Sequence, residues 1–194
     1  GIAGATSAGI EEAAEKFRDG IIEQVDSSLI ASWFAHLNWS QKDIDDEFQG
    51  MIESDSHAGF TTEVSADWET IPVLYDSVIR RVRAEFPRAH DLTMLGGHSS
   101  HSYINGTNMY FNYFYDLVDC EPEEEVTKYY LPIITIICEE TLRHGGSIVH
   151  HHGIGKARAP WVKDEYGSSY SILEKLKQAF DPNGVMNKGT IIPE

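Results

Sequence analysis

Cysteine, positive charge and long apolar runs are all scarce in this chain, and each scarcity removes a class of protein. Only Cys120 and Cys138 occur among 194 residues. They form neither a disulfide scaffold nor a Cys-x-x-Cys pair, so a reducing compartment with buried, unreactive thiols is expected. Lys and Arg number 15 against 31 Asp and Glu, a formal net charge of −16. A protein that negative repels a polyphosphate backbone, and nucleic-acid binding is not expected. One Arg, one Lys and a few His in a cleft still suffice to hold a small phosphorylated ligand. The longest apolar candidate, residues 131–138, is well short of the roughly 20 residues that span a bilayer. That excludes a membrane-integral protein and leaves a cytoplasmic one, or one peripheral to a membrane. There is no internal repeat and no low-complexity tract. The first nine residues, Gly1-Ile-Ala-Gly-Ala-Thr-Ser-Ala-Gly9, have no initiator Met and no basic segment ahead of an apolar one. They read as a chain entered in the middle, not as a signal peptide.

What is present fits a soluble domain with an appendage: 41% of the chain is hydrophobic and 11% of the chain is aromatic. The opening residues carry a short helical pattern over 11–17, and Ile21 through Phe34 recur at helical spacing, a weak amphipathic helix ending near His36. The acidic run Asp43-Ile-Asp-Asp-Glu47 with Gly50 reads as a solvated loop. From Phe60 the order improves. An edge strand is expected over 60–65, then a helix starting at Asp67-Trp68-Glu69 with its apolar stripe on Ile71, Leu74, Tyr75, Val78, Ile79 and Val82, ended by Pro87. Strands over 91–96 and 108–115 flank Asn105-Gly106 and read as a hairpin. A helix follows over 122–144, stepped or kinked at Pro132 and stopped by Gly145-Gly146. A short strand over 147–150, a Gly-punctuated loop and a helix over 169–180 complete the chain, which reverses at Asp181-Pro-Asn-Gly184. This order is that of an α+β domain, an antiparallel sheet with helices on one face.

Histidine is concentrated in two places: His98 and His101 within Gly96-Gly-His-Ser-Ser-His-Ser-Tyr103, and His150-His-His152 ahead of Gly153-Ile-Gly-Lys156. A core gains nothing from three consecutive imidazoles, because each buried ring needs partners for both nitrogens. In an extended segment at most two of the three address one cavity. Zinc ligation, structural hydrogen bonding, and catalysis or phosphate contact are all open to such residues. No carboxylate stands beside them in a familiar metal pattern, and the glycines suit a chain hugging a planar or phosphorylated ligand, so catalysis or phosphate contact without a metal is the expectation. Tyr103 closes a polar loop among Ser99, Ser100 and Ser102, where a phenol can be poised for proton transfer. A tyrosine's plainer use is to pack its ring and expose its hydroxyl, and the residues alone leave both open. Lys156 and Arg158 offer positive charge to a phosphate or an anionic flavin, or else face solvent.

At this point the residues resemble a known family. His150-His-His-Gly-Ile-Gly-Lys156 with Arg158, followed by Asp181-Pro-Asn-Gly-Val-Met-Asn187, is similar to the C-terminal signature of the FAD-linked oxidases of the vanillyl-alcohol oxidase superfamily. Gly97-His-Ser-Ser-His-Ser-Tyr103 with Tyr110-Phe111 resembles the alkyldihydroxyacetonephosphate synthase branch, as does the stretch Phe60-Thr-Thr-Glu-Val-Ser-Ala-Asp-Trp68. The resemblance implies a poorly matched segment over 1–59, a substrate (cap) domain with a ferredoxin-like sheet over 60–165, and a C-terminal helix and tail over 166–194 that return to an FAD-binding domain. It implies FAD as cofactor. In the ether-lipid branch there is no net redox change: flavin N5 forms an adduct with acyl-dihydroxyacetone phosphate, the fatty acid leaves and a fatty alcohol replaces it. Tyr103 maps to the acid/base at the substrate carbon, with His151 and His152 as further catalytic residues. His98, His101, His150, Lys156, Arg158 and Asn187 map to substrate-phosphate or flavin contacts.

Related glycolate, lactate and hydroxyglutarate dehydrogenases carry Gly-His-x-Gly-Asp-Gly-Asn-x-His and a Glu-His ahead of their Gly-Ile-Gly. Here Ser99, Ser100 and His101 replace the Gly-Asp part and His151 stands in place of the Glu, which favours the synthase-like branch. No Gly-rich pyrophosphate loop is found in the sequence, so an N-terminal FAD domain is the expected partner and the 194 residues alone are expected to be inactive. A lipid substrate allows contact with a membrane surface, and a homodimer is allowed. Beside this reading stand an FAD-dependent oxidase or dehydrogenase of a small alcohol or 2-hydroxy acid, and a non-enzymatic ligand-binding module.

Overall fold

The computed structural model describes residues 8–12, 15, 26–35, 37, 40–53 and 57–192. The chain divides into two units, Gly1–Glu53 and Ser54–Glu194. In the first, residues 8–12 and 15 are helical, and the rest of the expected pattern over 11–17 lies outside the described residues. Helix α1, Ser27–Ala35, realises the expected amphipathic helix, of which residues 21–25 and 36 also lie outside the described residues. Asp26 caps it by accepting the Ser28 amide at 2.7 Å. The acidic run is not a loop: it lies in helix α2, Gln41–Glu53. Ser40 and Asp43 form a capping box, the Ser40 amide reaching Asp43 Oδ2 at 2.8 Å and the Asp43 amide reaching Ser40 Oγ at 3.2 Å. Gln41 bonds Asp45 one turn on at 2.9 Å, and Lys42 pairs with Asp46 in the same way. Local bonds along an exposed face build this helix, so a search for a buried stripe overlooks it.

The second unit is the α+β domain. Strand β1, His57–Asp67, leads into α3, Thr70–Glu85, whose first amide is capped by Asp67 Oδ1 at 2.7 Å. Ile71, Leu74, Val78 and Val82 of the expected stripe are buried, together with Ser77. Strands β2, Leu92–His98, and β3, Gly106–Asp116, follow. The sheet is antiparallel in the order β1-β3-β2. Its reversal brings Tyr103 N to 2.8 Å from Gly106 O, so Ile104 and Asn105 are the tip residues and the Asn-Gly signal lies one residue late. Helix α4, Leu131–Arg143, is preceded by a π-helical turn, Val126–Tyr130. The wider turn is the step expected at Pro132, which lacks an amide hydrogen and crowds the carbonyl of the preceding turn.

Helices α3 and α4 cover one face of the sheet. Val64, Phe111, Tyr113 and Tyr115 pack there against Leu74, Val78, Val82, Ile133 and Ile137, all fully buried. Helix α4 ends in a Schellman motif: Gly146 N bonds Thr141 O at 2.9 Å and Gly145 N bonds Leu142 O at 3.0 Å, with Gly145 at φ +74°. The short strand expected over 147–150 shrinks to one residue, Ser147, paired with Ser65 on the free edge of β1. With Ser147 as the remnant of a fourth strand, the order 4-1-3-2 is that of a ferredoxin-like sheet. A helix that the pattern does not announce, α5 over Gly155–Tyr166, carries Lys156 and Arg158 and holds Pro160 inside it. Helix α6, Tyr170–Phe180, is the expected last helix. Asp181 then organises the reversal by accepting the amides of Val185 and Met186, each at 2.9 Å.

Candidate active site

The face of the sheet turned away from α3 and α4 carries Glu63, Asn108, Tyr110, Asn112 and His98, because these are register partners or alternate neighbours on the three strands. The segment that leaves the Schellman turn pairs at Ser65 and then passes over this face. Glu63 anchors it. Its Oε2 accepts the amides of His150 and His151, each at 3.1 Å, and its Oε1 accepts Asn108 Nδ2 at 3.3 Å. The same Oε1 lies 2.8 Å from His150 Nδ1 and 2.9 Å from His151 Nδ1. Fully enclosed, Glu63 sits among hydrogen-bond donors. Burial alone would raise its carboxyl, but the His151 amide, the Asn108 side chain, the His150 amide and the charge that His151 carries when protonated outweigh that and hold it below its usual value.

Two tyrosines reach the outer nitrogens of the same histidines. Tyr103 Oη is 2.8 Å from His150 Nε2, and Tyr110 Oη is 2.9 Å from His151 Nε2. The two Nδ1 atoms are themselves 3.0 Å apart. Tyr103 sits in a pinned loop, its carbonyl accepting Trp68 Nε1 at 2.9 Å, while Asn108 Oδ1 accepts the amides of Ser100 and His101 at 3.1 and 2.9 Å. His101 places its ring 4.8 Å from that of His151 and its Nδ1 2.9 Å from Ser100 Oγ. His98 stacks on Tyr110 with centroids 4.8 Å apart and is fixed by Asn112 Nδ2 at 2.9 Å. The His152 ring packs 5.4 Å from Tyr110 and 4.5 Å from His151. Burial holds His152 below the ordinary histidine value; Glu63 opposes this, and the charges of His151, Arg158 and His150 add to it.

The structure therefore gathers His98, His101, Tyr103, His150, His151 and His152 into one cluster. Lys156 is exposed at the start of α5 and makes no hydrogen bond or ion pair among the described residues. Arg158 is only 6% exposed, and its Nη1 has no acceptor there. Asn187 lies elsewhere, in a cleft of about 340 Å³ with Leu173, Leu176, Phe180 and Ile191. Nothing in the sequence ties Glu63 to the histidines, since it stands 87 residues before His150; its one signal is a lone carboxylate in the middle of a strand. No carboxylate adjoins the histidines in sequence in a familiar metal pattern, but the fold brings Glu63 directly beneath them. Nitrogens of His101, His150 and His151 lie within 4.8 Å of one another, as do ligand atoms of Glu63, His151 and His152, spacings at which rings could turn onto one cation. As folded, the Nε2 atoms of His150 and His151 face tyrosine hydroxyls instead. Past the histidines, the same face runs by Asn112 and Gly96 to Met94 and Phe114, 43% and 39% exposed. A Cβ built on Gly96 would meet nothing within 4 Å, so the middle of the face is open.

The profile of the FAD linked oxidases, C-terminal domain, matches residues 4–191. The chain belongs to this family. An FAD-linked oxidoreductase of Escherichia coli (strain K12), YgcU, is 55% identical over 192 residues, which are 99% of this chain and 39% of that protein. Alkyldihydroxyacetonephosphate synthase of Trypanosoma brucei brucei is 32% identical over 100 residues, 51% of this chain and 16% of that protein. Among solved structures, an alkyldihydroxyacetonephosphate synthase matches with a TM-score of 0.44 and 13% identity, over 79% of this chain and 23% of that one. This FAD linked oxidase domain thus spans 39% or less of these curated relatives. Among its described residues no helix is long and apolar enough to cross a membrane.

Proposed function

We propose that this domain is the substrate-side part of a longer FAD-dependent enzyme, in which Tyr103 moves a proton at a substrate carbon during exchange of acyl for alkyl on a dihydroxyacetone phosphate ester. The observation that carries this reading is the Tyr103 hydroxyl 2.8 Å from His150 Nε2, with the Glu63 carboxylate on the far side of the same ring. A phenol that exchanges protons with carbon needs a base within hydrogen-bond reach, and a base needs a group that orients it; this line of residues supplies both. FAD, held largely by a preceding domain, would supply an electron-accepting ring at the substrate carbon. The unpartnered Nη1 of buried Arg158 suits a phosphate or flavin oxygen, with Lys156, His98 and His101 as further contacts. A site face that passes from histidines to Met94 and Phe114 suits a substrate with a phosphate head and an alkyl chain, and such a substrate brings the complete protein to a membrane surface. Asn187 and the tail after α6 belong to the contact with the flavin-holding domain.

A second reading, FAD-dependent oxidation of a small alcohol or 2-hydroxy acid, is favoured by the 55% identity to an FAD-linked oxidoreductase. A product assay on the full-length, FAD-loaded protein separates the two. Acyl-dihydroxyacetone phosphate and a fatty alcohol should give the alkyl product and free fatty acid with no electron acceptor added. Turnover that needs an acceptor, with no alkyl product, would replace the exchange reading with the oxidative one.

A further inference from the structure

We infer that Tyr110 is the outer end of a proton relay that begins at Tyr103 and runs through His150 and His151. The inference rests on the proposed function in one respect, that Tyr103 is the end facing substrate. Three contacts lie in series: Tyr103 Oη to His150 Nε2 at 2.8 Å, His150 Nδ1 to His151 Nδ1 at 3.0 Å, and His151 Nε2 to Tyr110 Oη at 2.9 Å. Two ring nitrogens make such a bond only when one carries the hydrogen and the other a lone pair. The two neutral rings must then be opposite tautomers, and the choice at the middle link fixes the direction of both outer links.

With His150 protonated on Nδ1, Tyr103 donates to His150, His150 to His151, and His151 through Nε2–H to Tyr110, whose own hydrogen points away. With the middle hydrogen on His151, all three bonds reverse and the outward hydrogen belongs to Tyr103. Passing from the first register to the second moves one proton and leaves every ring in place. Tyr103 takes a proton from the substrate carbon on its outer lone pair, the electron pair of the C–H bond staying with the substrate, and gives its own proton to His150 Nε2. His150 gives its Nδ1 hydrogen to His151 Nδ1, His151 gives its Nε2 hydrogen to Tyr110, and Tyr110 releases its original hydrogen to water. One proton enters, one leaves, and no residue of the relay ends charged. Glu63, fully buried, stands 2.8 and 2.9 Å from the two nitrogens of the middle link. Its fixed negative charge stabilises positive charge as it passes between the rings. Tyr110 is held for this task by the stacked ring of His98.

The same distances admit one rival arrangement, in which both Nδ1 atoms carry hydrogen toward Glu63 and the two Tyr–His pairs stay unconnected. Long-range ¹H–¹⁵N spectra of the imidazoles in the full-length, FAD-loaded protein at pH 8 decide between them, with His150→Gln and His151→Gln used for assignment. The relay predicts opposite tautomers at His150 and His151, or the average of the two registers. It also predicts that Tyr110→Phe shifts the His150 nitrogens although its hydroxyl touches only His151. Two Nδ1–H rings, or a doubly protonated ring beside Glu63, would overturn it, and the spectrum of the unsubstituted protein distinguishes these outcomes even where a variant fails to fold. If the proposed function is wrong instead, alkyl exchange is absent while the opposite tautomers remain.

Discussion

Glu63 is the residue on which the arrangement turns. It combines zero exposure with donors from two elements, so its removal leaves the amides of His150 and His151 without an acceptor. An unsatisfied buried donor costs about 1–3 kcal/mol. Glu63→Leu, which offers those amides no acceptor, should therefore speed hydrogen exchange at His150 and His151 by about 10-fold or more while leaving β3 protected; equal exchange in both proteins would mean that the loop is held by something else. Acid acts on the same group. Glu63, and Glu140 and Asp181, whose carboxyls are held down at about 2, all lie below their usual values. A carboxyl lowered in the folded state contributes its stability in full above about pH 5, and that contribution is lost as pH falls through the folded value. For Glu140, burial pushes upward, but Ser77, Arg143 and Arg81 outweigh it. Stability should fall only slightly from pH 7 to about 5, where the lowered His152 lets the unfolded chain take up a proton first, and decline steeply toward pH 2 as the carboxyls protonate, as read by acid titration of the far-ultraviolet circular dichroism; a decline complete by pH 5 would contradict these shifts. The histidines and Tyr103 are legible in the sequence because unusual clustering draws attention to them. The single carboxylate beneath them is not, since strand alternation alone does not tell which face will be covered.

At the scale of elements, the sequence is read well where burial writes a period and poorly where it does not. Helix α3 declares itself through Leu74, Val78 and Val82, which are fully buried. Helix α2 is exposed at every position whose side chain is described, and its caps and ion pairs leave no stripe to detect. Helix α5 escapes for a different reason: Pro160 interrupts the pattern, and burial is confined to Arg158, Ala159 and Val162. The remnant fourth strand is missed because one bridge at Ser147 leaves no alternation. The glycines at the end of α4 do their expected work, and Gly145 gives a clean test. Its φ is +74° and a Cβ there would meet nothing within 4 Å, so Gly145→Ala should cost about 1–2 kcal/mol from backbone strain alone. Urea unfolding checks this: a loss in that range, largely recovered by Gly145→Asn, is expected, whereas no loss would mean that the Schellman turn rearranges freely.

Across the whole molecule, the sheet divides the labour. One face is a hydrocarbon and tyrosine core shared with α3 and α4, which fixes the strands. The other face is left to polar side chains and to the histidine segment, which the edge of β1 carries into place through Ser65 and Ser147. Rigidity on the first face is what lets distances near 3 Å on the second be chemically meaningful. Membership of the FAD linked oxidases follows from a match over residues 4–191, and the proton-handling role of Tyr103 is the claim made for this face. It is tested most directly by steady-state turnover and flavin content of the full-length protein carrying Tyr103→Phe. A general acid/base contributes about 10²-fold or more, so turnover should fall by at least that factor while FAD remains bound at the unsubstituted level. Undiminished turnover with flavin in place would contradict the account.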